Sequence, residues 1–115
     1  MVYNPGMDRL LHICPVSDRQ EAQARGEYRP ASLDTEGFIH CSTAGQVAAT
    51  ANRFYHGRRG LVLLHIDPAR VRPPVRLEPA DGSLFPHIYG PLNLDAVVDV
   101  QEFEPGEDGT FSWTA

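Results

Sequence analysis

Short apolar runs separated by proline, glycine and polar clusters alternate along this chain with two stretches of helical spacing. Runs of this length, bounded by turn residues, are typical of β-strands. The predicted strands are Arg9–Cys14, Gly37–Ser42, Gly60–Ile66, Val75–Glu78 and Ala96–Phe103, with Thr110–Trp113 as a further edge strand. The Gly60–Ile66 run is apolar at almost every position, which predicts a central strand buried on both faces.

The first predicted helix follows the first strand. Ser17 is expected to cap its N-terminus, because Gln20 three residues later gives the spacing of a capping box. Gly26 is expected to end it, since glycine readily adopts the positive φ found just after a helix.

The second predicted helix runs from a cap at Thr43 to about Tyr55. Val47, Ala51 and Phe54 recur in it at helical spacing. These three side chains are therefore expected to face the core.

The order of elements indicates the fold class. Strands and helices do not alternate strictly, which disfavours a doubly wound parallel sheet. We expect an α+β fold, with two main helices packed against a mixed or antiparallel sheet. The 115 residues are within the usual size of one domain, and no repeat or linker interrupts them. A single domain over residues 1–115, with its core in residues 9–103, is therefore predicted.

Charge and composition narrow the classes of function. The net charge of −5 at pH 7 disfavours general binding to nucleic acid. All ten basic residues are arginine, which excludes Schiff-base chemistry and a P-loop lysine. No apolar run approaches the roughly 20 residues of a spanning helix, so no membrane span is predicted.

The two cysteines, Cys14 and Cys41, bear on the compartment. Residues Met1–Asp8 carry no basic segment followed by an apolar stretch, so no export signal and a cytoplasmic location are expected. Free thiols are then favoured over a disulfide.

Histidines are the first candidates for chemistry. His12 lies in the first predicted strand and His40 in the second, and histidine works as base, ligand or donor near neutral pH. We expect the two on neighbouring strands, with side chains opening to one cleft. The alternative is that each is a half-buried histidine bonded to backbone. His56 is expected at a solvated helix end, and His65 is expected to be structural.

Two further polar residues have both a structural and a functional interpretation. Ser42, between the second strand and a helix, either caps that helix or holds an anion or ribose. Glu78, at the end of a short strand, is either a catalytic carboxylate or an exposed one.

The segment Phe85–Leu92 is predicted to be a stiff loop because it contains two prolines. If it is extended, His87 and Tyr89 share one face and Ile88 anchors the other face in the core. It is either one wall of the cleft or a rigid connector.

Metal binding is not expected. The chain has no C-x-x-C, H-x-x-x-H or H-E-x-x-H spacing. We therefore predict no structural metal.

The order of motifs resembles a bacterial family, domain of unknown function 952, from about Leu10 to Val100. Arg19 and Leu77 depart from it, since such proteins often carry tryptophan at both places. The motifs are LLHI (Leu10–Ile13), G-x-Y (Gly26–Tyr28), EGFIHCST (Glu36–Thr43), Gln46–Val47, LVLLHID (Leu61–Asp67), LEP (Leu77–Pro79) and FPHIYGPL (Phe85–Leu92).

That family is distantly similar to the ADP-ribosyltransferase fold, a split antiparallel sheet that binds NAD, and most similar to its RNA 2′-phosphotransferase branch. The resemblance implies that His12 forms the first NAD-contacting motif and that His40 with Ser42 forms the second. A third motif carries a glutamate or its substitute. The residues that compete for this role are Glu78, His87 and Tyr89; Arg29, Arg53 and Arg76 are the candidates for phosphate contacts.

Three hypotheses of function remain open. The first is an enzyme that transfers ADP-ribose from NAD, with catalytic residues among His12, His40, Glu78 and His87. The second is a binding module without chemistry, which recognises a nucleotide-like ligand by stacking on Tyr89 or Phe85. The third is a structural or interaction protein.

Overall fold

A computed structural model describes residues 9–114 of the protein, which contain β-strands, α-helices and two single-turn 3-10 helices. The strands are β1 Leu10–Pro15, β2 Glu27–Tyr28, β3 Ile39–His40, β4 Leu61–Ile66, β5 Val75–Ala80, β6 Ser83–Ile88, β7 Leu92–Asn93 and β8 Val97–Phe103. The α-helices are α1 Val16–Arg25, α2 Ser32–Thr35 and α3 Val47–Phe54, and the 3-10 helices are Pro68–Arg70 and Leu94–Ala96.

The strands form separate antiparallel sheets. One has the order β1-β4-β8, a second has the order β3-β6-β5, and β2 pairs with β7. Every pairing is antiparallel. The predicted α+β class with antiparallel sheets and few helices is therefore confirmed.

The β1-β4-β8 sheet is covered on both faces, and β4 is its central strand, as predicted. Leu64 and Ile66 face one core together with Ala22 of α1. Leu63 faces a second core with Val47 of α3. Successive residues of β4 point to opposite cores, so every residue of this strand is buried.

A backbone bridge joins the two larger sheets. Leu11 N–H donates to the carbonyl of Ser42 at 2.8 Å, and Ser42 N–H donates back to Leu11 at 2.7 Å. This bridge places the end of the second histidine motif directly beside β1.

Both predicted helix starts are wrong. Helix α1 begins at Val16 directly after Pro15, so Ser17 lies inside the first turn and no side chain caps it. Helix α3 begins at Val47, and the Gln46 side chain instead accepts the Thr43 N–H at 3.0 Å. Pro15 directly precedes α1, and the Gln46 side chain folds back onto the Thr43 N–H before α3. Neither helix therefore begins at its predicted capping residue.

The predicted end of α1 is confirmed, but one of the predicted core positions of α3 is wrong. Gly26 follows α1 with φ 86°, as predicted. Val47 and Ala51 are fully buried, but Phe54 is 62% exposed, so its predicted core position is wrong. The last turn of α3 extends beyond the core.

Three predicted strand and loop assignments need correction. Only Ile39–His40 of the Gly37–Ser42 segment is a strand, with an isolated bridge at Ser42. The supposed loop Phe85–Leu92 begins inside strand β6, which pairs with β5 through a tight turn at Asp81 (φ 50°) and Gly82 (φ 80°). Thr110–Trp113 forms no strand, because Asn52 binds the backbone of Phe111 in place of a neighbouring strand.

Some expectations concern residues outside the described range. Residues 1–8 and 115 of the predicted 1–115 domain lie outside it, including the segment Met1–Asp8. Within residues 9–114, no helix has the length and apolar character needed to cross a membrane. Cys14 and Cys41 are free and buried.

Candidate functional site

The outer face of the β3-β6-β5 sheet carries a cluster of polar and aromatic side chains. The register aligns His40 of β3 and Arg76 of β5 with His87 of β6. Because strand residues alternate, Ile39 and Ile88 point to the opposite face and are fully buried. The predicted separation of His87 from Ile88 is therefore confirmed.

Glu78 is the centre of this cluster. Its Oε1 atom accepts a hydrogen bond from His87 Nδ1 at 2.9 Å and a second hydrogen bond from the Tyr89 hydroxyl. The bond from Tyr89, followed by the bond from His87, lowers the pKa of Glu78. The same bond raises the pKa of Tyr89, since a phenol that donates to a carboxylate resists ionisation. Glu78 is thus an anion held between two donors.

This arrangement determines which ring nitrogen of His87 donates to Glu78. A carboxylate oxygen only accepts, so Nδ1 carries the hydrogen of this bond. The remaining nitrogen, Nε2, has no hydrogen-bond partner among residues 9–114. His87 therefore presents Nε2 from a ring whose orientation is fixed by a carboxylate, as the histidine of a Ser-His-Asp triad does.

Phe38 holds the same imidazole from its face. The two rings are stacked, with centroids 4.1 Å apart and planes inclined by 5°. Phe38 also packs edge-on against His40 at 4.8 Å, and the Arg76 guanidinium lies 4.9 Å above the ring of Tyr89. The cluster is therefore ordered by ring packing as well as by hydrogen bonds.

His40 belongs to a second histidine–carboxylate pair. Its Nε2 contacts Glu36 Oε2 at 2.8 Å, and its side chain is half exposed. The imidazole lies 5.3 Å from that of His87 in an edge-to-face arrangement. Two histidines, each oriented by its own carboxylate, therefore stand side by side.

His12 has a different environment. It is buried on the inner face of β1, where Nδ1 lies 2.5 Å from the His40 carbonyl and Nε2 lies 2.6 Å from the Tyr28 hydroxyl. A carbonyl only accepts, so Nδ1 donates to it and Nε2 accepts from Tyr28. Burial lowers the pKa of His12 to about 4, so the ring is neutral. Both of its nitrogens already have partners.

A cavity of about 450 Å³ lies between α3 and the β5–β6 hairpin. His12, His40, Ser42 and His87, all predicted as site residues, contribute to its lining. Glu78 and Tyr89 do not line it: Glu78 binds His87 behind the cavity wall, and Tyr89 binds Glu78. Volumes of this size are typical of small-molecule sites, which span roughly 300–1,000 Å³.

Two contacts across the cavity fix its walls relative to each other. Gln46 Nε2, just before α3, donates to Ser83 Oγ at 3.1 Å and to the Leu84 carbonyl at 2.8 Å. Arg53 of α3 forms an ion pair with Asp81 of the hairpin turn at 3.0 Å. Ser42 is buried in the cavity floor, where its hydroxyl lies 3.4 Å from that of Thr50.

The sequence predicted most of these residues, with Arg53 among the candidates for phosphate contacts, but missed Phe38 and Tyr28 as parts of the site. Phe38 could have been found, because it alternates with His40 and must share its face. Within residues 9–114, no group of three or more histidine, cysteine, aspartate or glutamate residues is arranged to hold a metal ion.

A second cavity of about 420 Å³ lies between α1 and β8. Arg19, Tyr28 and Val98 are among its lining residues. None of the predicted site residues lines this second cavity.

Comparison with solved structures gives close matches to one bacterial protein, CC0527 from Caulobacter crescentus. A crystal structure of CC0527 is 27% identical, with a TM-score of 0.83 over 90% of this chain and 93% of that chain. A crystal structure of its double mutant gives 27% identity and a TM-score of 0.82 with the same coverage. Its solution NMR structure gives 26% identity and a TM-score of 0.75, covering 92% of this chain and 93% of that chain.

The family comparison agrees with these structures. A search of curated proteins gave no match. The family model described as "Protein of unknown function (DUF952)" matches residues 13–100, which is most of the chain. The predicted family is therefore confirmed: this chain belongs to the DUF952 family of proteins.

Proposed function

We propose that the cavity between α3 and the β5–β6 hairpin binds a nucleotide-like ligand, and that His87 is the general base of an ADP-ribosyl-transfer reaction on NAD. One observation carries the proposal. Glu78 fixes the imidazole of His87 at 2.9 Å through Nδ1, and His87 lines the cavity with Nε2 unpartnered among the described residues.

In the proposed reaction, Nε2 of His87 accepts one proton. The bond between nicotinamide and the ribose breaks, and nicotinamide leaves as a neutral base. The ribose carbon forms a bond to the oxygen of water or of another acceptor, and His87 Nε2 takes the proton from that oxygen. The Glu78 carboxylate stabilises the resulting imidazolium, as a carboxylate paired with a catalytic histidine does.

The residues in the cavity suit a ligand of this class. Phe85 lines one wall and offers an aromatic face to a base. Ser42 and Thr50 supply hydroxyls for a ribose from the floor. The ADP-ribosyltransferase-like fold, which the resemblance implies, belongs to the same proposal.

His12 takes a different part in this proposal than the resemblance implies. Its two nitrogens bind the His40 carbonyl and the Tyr28 hydroxyl. A contact with the nicotinamide ribose would require one of these bonds to break. We therefore assign His12 the role of holding the backbone of His40 in place, while His40 itself faces the cavity.

The same observation supports a second candidate, a nucleotide-binding module without chemistry. In that case Phe85 and Ser42 would recognise the ligand, and the Glu78–His87 pair would serve only as a hydrogen-bond donor and acceptor. Both candidates would bind the ligand, but only the enzyme would release nicotinamide.

Nicotinamide release from NAD, followed by chromatography, separates them. The wild-type protein should release nicotinamide, and His87→Ala should lower the rate by about 10²–10⁴-fold, the usual contribution of a general base. His56→Ala is the matched control, because His56 is exposed beyond α3, and its rate should equal that of the wild type.

Thermal shift with NAD and ADP-ribose completes the test. A stabilised protein that releases no nicotinamide would refute the enzyme and support the binding module. The absence of any stabilisation at millimolar ligand would refute both.

A further inference from the structure

We propose that Arg53 forms an anion subsite at the mouth of the cavity, held closed by Asp81, and that the ligands of this site carry a phosphate or pyrophosphate group. This inference rests on the proposed function for the identity of the cavity. It adds the residue that would contact the phosphate groups of that ligand and the acidic residue that competes for this contact.

The geometry places Arg53 where a ligand enters. It lies at the end of α3 and reaches across the cavity mouth to Asp81, with Nη1 3.0 Å from Oδ1. Both side chains also line the cavity. A ligand that fills the cavity and extends outward therefore meets this pair.

The Arg53–Asp81 ion pair is weak enough for an anionic ligand to displace. The two side chains are 59% and 44% exposed, and such ion pairs contribute little to stability because water screens them. A phosphate group offers the guanidinium two parallel charge-assisted hydrogen bonds, against the single contact with Asp81. An anionic ligand can therefore replace Asp81 at small cost to the fold.

Phe54 explains how the guanidinium stays at the mouth when Asp81 is released. Its ring is 62% exposed, which is unusual for a phenylalanine, and the guanidinium of Arg53 lies 5.2 Å from its centroid. Arginine stacks well on aromatic faces. The exposed ring thus serves as a platform for the cation.

The charge of the whole chain makes a local cation necessary. The net charge is −5 and lysine is absent, so an anionic ligand is repelled at long range. Arg53 is the one arginine among the residues that line this cavity.

Titration with inorganic pyrophosphate at low salt tests the subsite without the rest of the ligand. Arg53→Gln should weaken pyrophosphate binding by at least about tenfold, the usual loss of a hydrogen bond to a charged group. Asp81→Asn should tighten it by about two- to fivefold, because the competing charge is removed. If the Arg53–Asp81 ion pair had only a structural role, both substitutions would change the affinity for pyrophosphate in the same direction.

Arg58→Gln is the matched control. It removes one positive charge from the same end of α3, where Arg58 lies over the ring of Tyr55 at 5.7 Å and outside the cavity lining. Its affinity for pyrophosphate should stay within about twofold of the wild type, as screening of a distant exposed charge predicts.

Three outcomes would overturn the inference: no pyrophosphate binding by the wild type, equal binding by Arg53→Gln, or weaker binding by Asp81→Asn. The proposed function fails separately. Pyrophosphate binding that survives in a protein that releases no nicotinamide keeps the subsite and removes the enzyme.

Discussion

Phe38 and His87 form a parallel ring stack, with centroids 4.1 Å apart and planes inclined by 5°. The stack holds the face of the imidazole, and Glu78 holds its edge through Nδ1 at 2.9 Å. Two independent constraints therefore orient one ring at the cavity wall. Orientation of this kind removes the freedom that a catalytic group would otherwise lose in the transition state.

The first prediction concerns this stack. Phe38→Ala should leave His87 bound to Glu78 but free to tilt, and should lower the rate of nicotinamide release by about two- to tenfold, as the worth of an aromatic pair implies. Phe38→Leu fills the same space without an aromatic face, and its rate should lie between the rates of Phe38→Ala and the wild type. Unchanged rates in both variants would show that Phe38 has no part in orienting His87.

The second prediction concerns the buried bond between Tyr28 and His12. Tyr28→Phe removes the donor to His12 Nε2, which lies 2.6 Å away in the core. A buried acceptor without a partner costs about 1–3 kcal/mol, so the free energy of unfolding in urea should fall by that amount.

Tyr55→Phe is the control for this prediction. The Tyr55 side chain is half-buried, and its hydroxyl makes no hydrogen bond within residues 9–114. Its loss should change the free energy of unfolding by less than about 0.5 kcal/mol. Equal losses in the two variants would refute the assigned bond.

The third prediction concerns acid stability. Burial lowers the pKa of His12 from 6.5 to about 4, so the unfolded chain binds more protons between these values. The contribution of His12 is then complete above pH 6.5 and declines as the pH falls, by about 3 kcal/mol at pH 4. The lowered pKa of Glu78 adds a loss in the same direction.

Comparison with His12→Asn isolates the histidine. Asparagine can still donate to the His40 carbonyl but does not titrate. The free energy of unfolding of this variant should therefore depend less on pH between about 6.5 and 4 than that of the wild type. Parallel curves for the two proteins would contradict the buried neutral histidine.

The fourth prediction concerns burial along one face of β6. Ile88 is fully buried between the sheets, so Ile88→Ala should lower the free energy of unfolding by about 2–5 kcal/mol. Leu84 lies on the same face of the strand but is 40% exposed, and Leu84→Ala should cost less than about 1 kcal/mol. Similar losses would show that the core does not end between Ile88 and Leu84.

Local periodicity accounts for what the sequence predicted well. Alternation placed His87 and Ile88 on opposite faces, and the continuous apolar run placed Leu61–Ile66 at the centre of its sheet. These features depend on neighbouring residues alone. The family motifs added the grouping of His40 with Ser42.

The remaining features depend on contacts that no local pattern encodes. The partner of His12 is Tyr28, sixteen residues away on another element. Phe54 shares the helical face of Ala51, but the core ends before the last turn of α3, so its ring is exposed. The Glu78–His87 pair follows from the register of β5 with β6, which the Asp81–Gly82 turn fixes.

An NMR titration of the labelled protein with NAD reports whether the cavity beside His87 is the ligand site. Saturable amide shifts are expected at Ser42, Thr50, Ser83 and His87, which border the cavity. Shifts confined to the second cavity between α1 and β8, or no saturable shift at millimolar NAD, would show that the ligand does not bind beside His87.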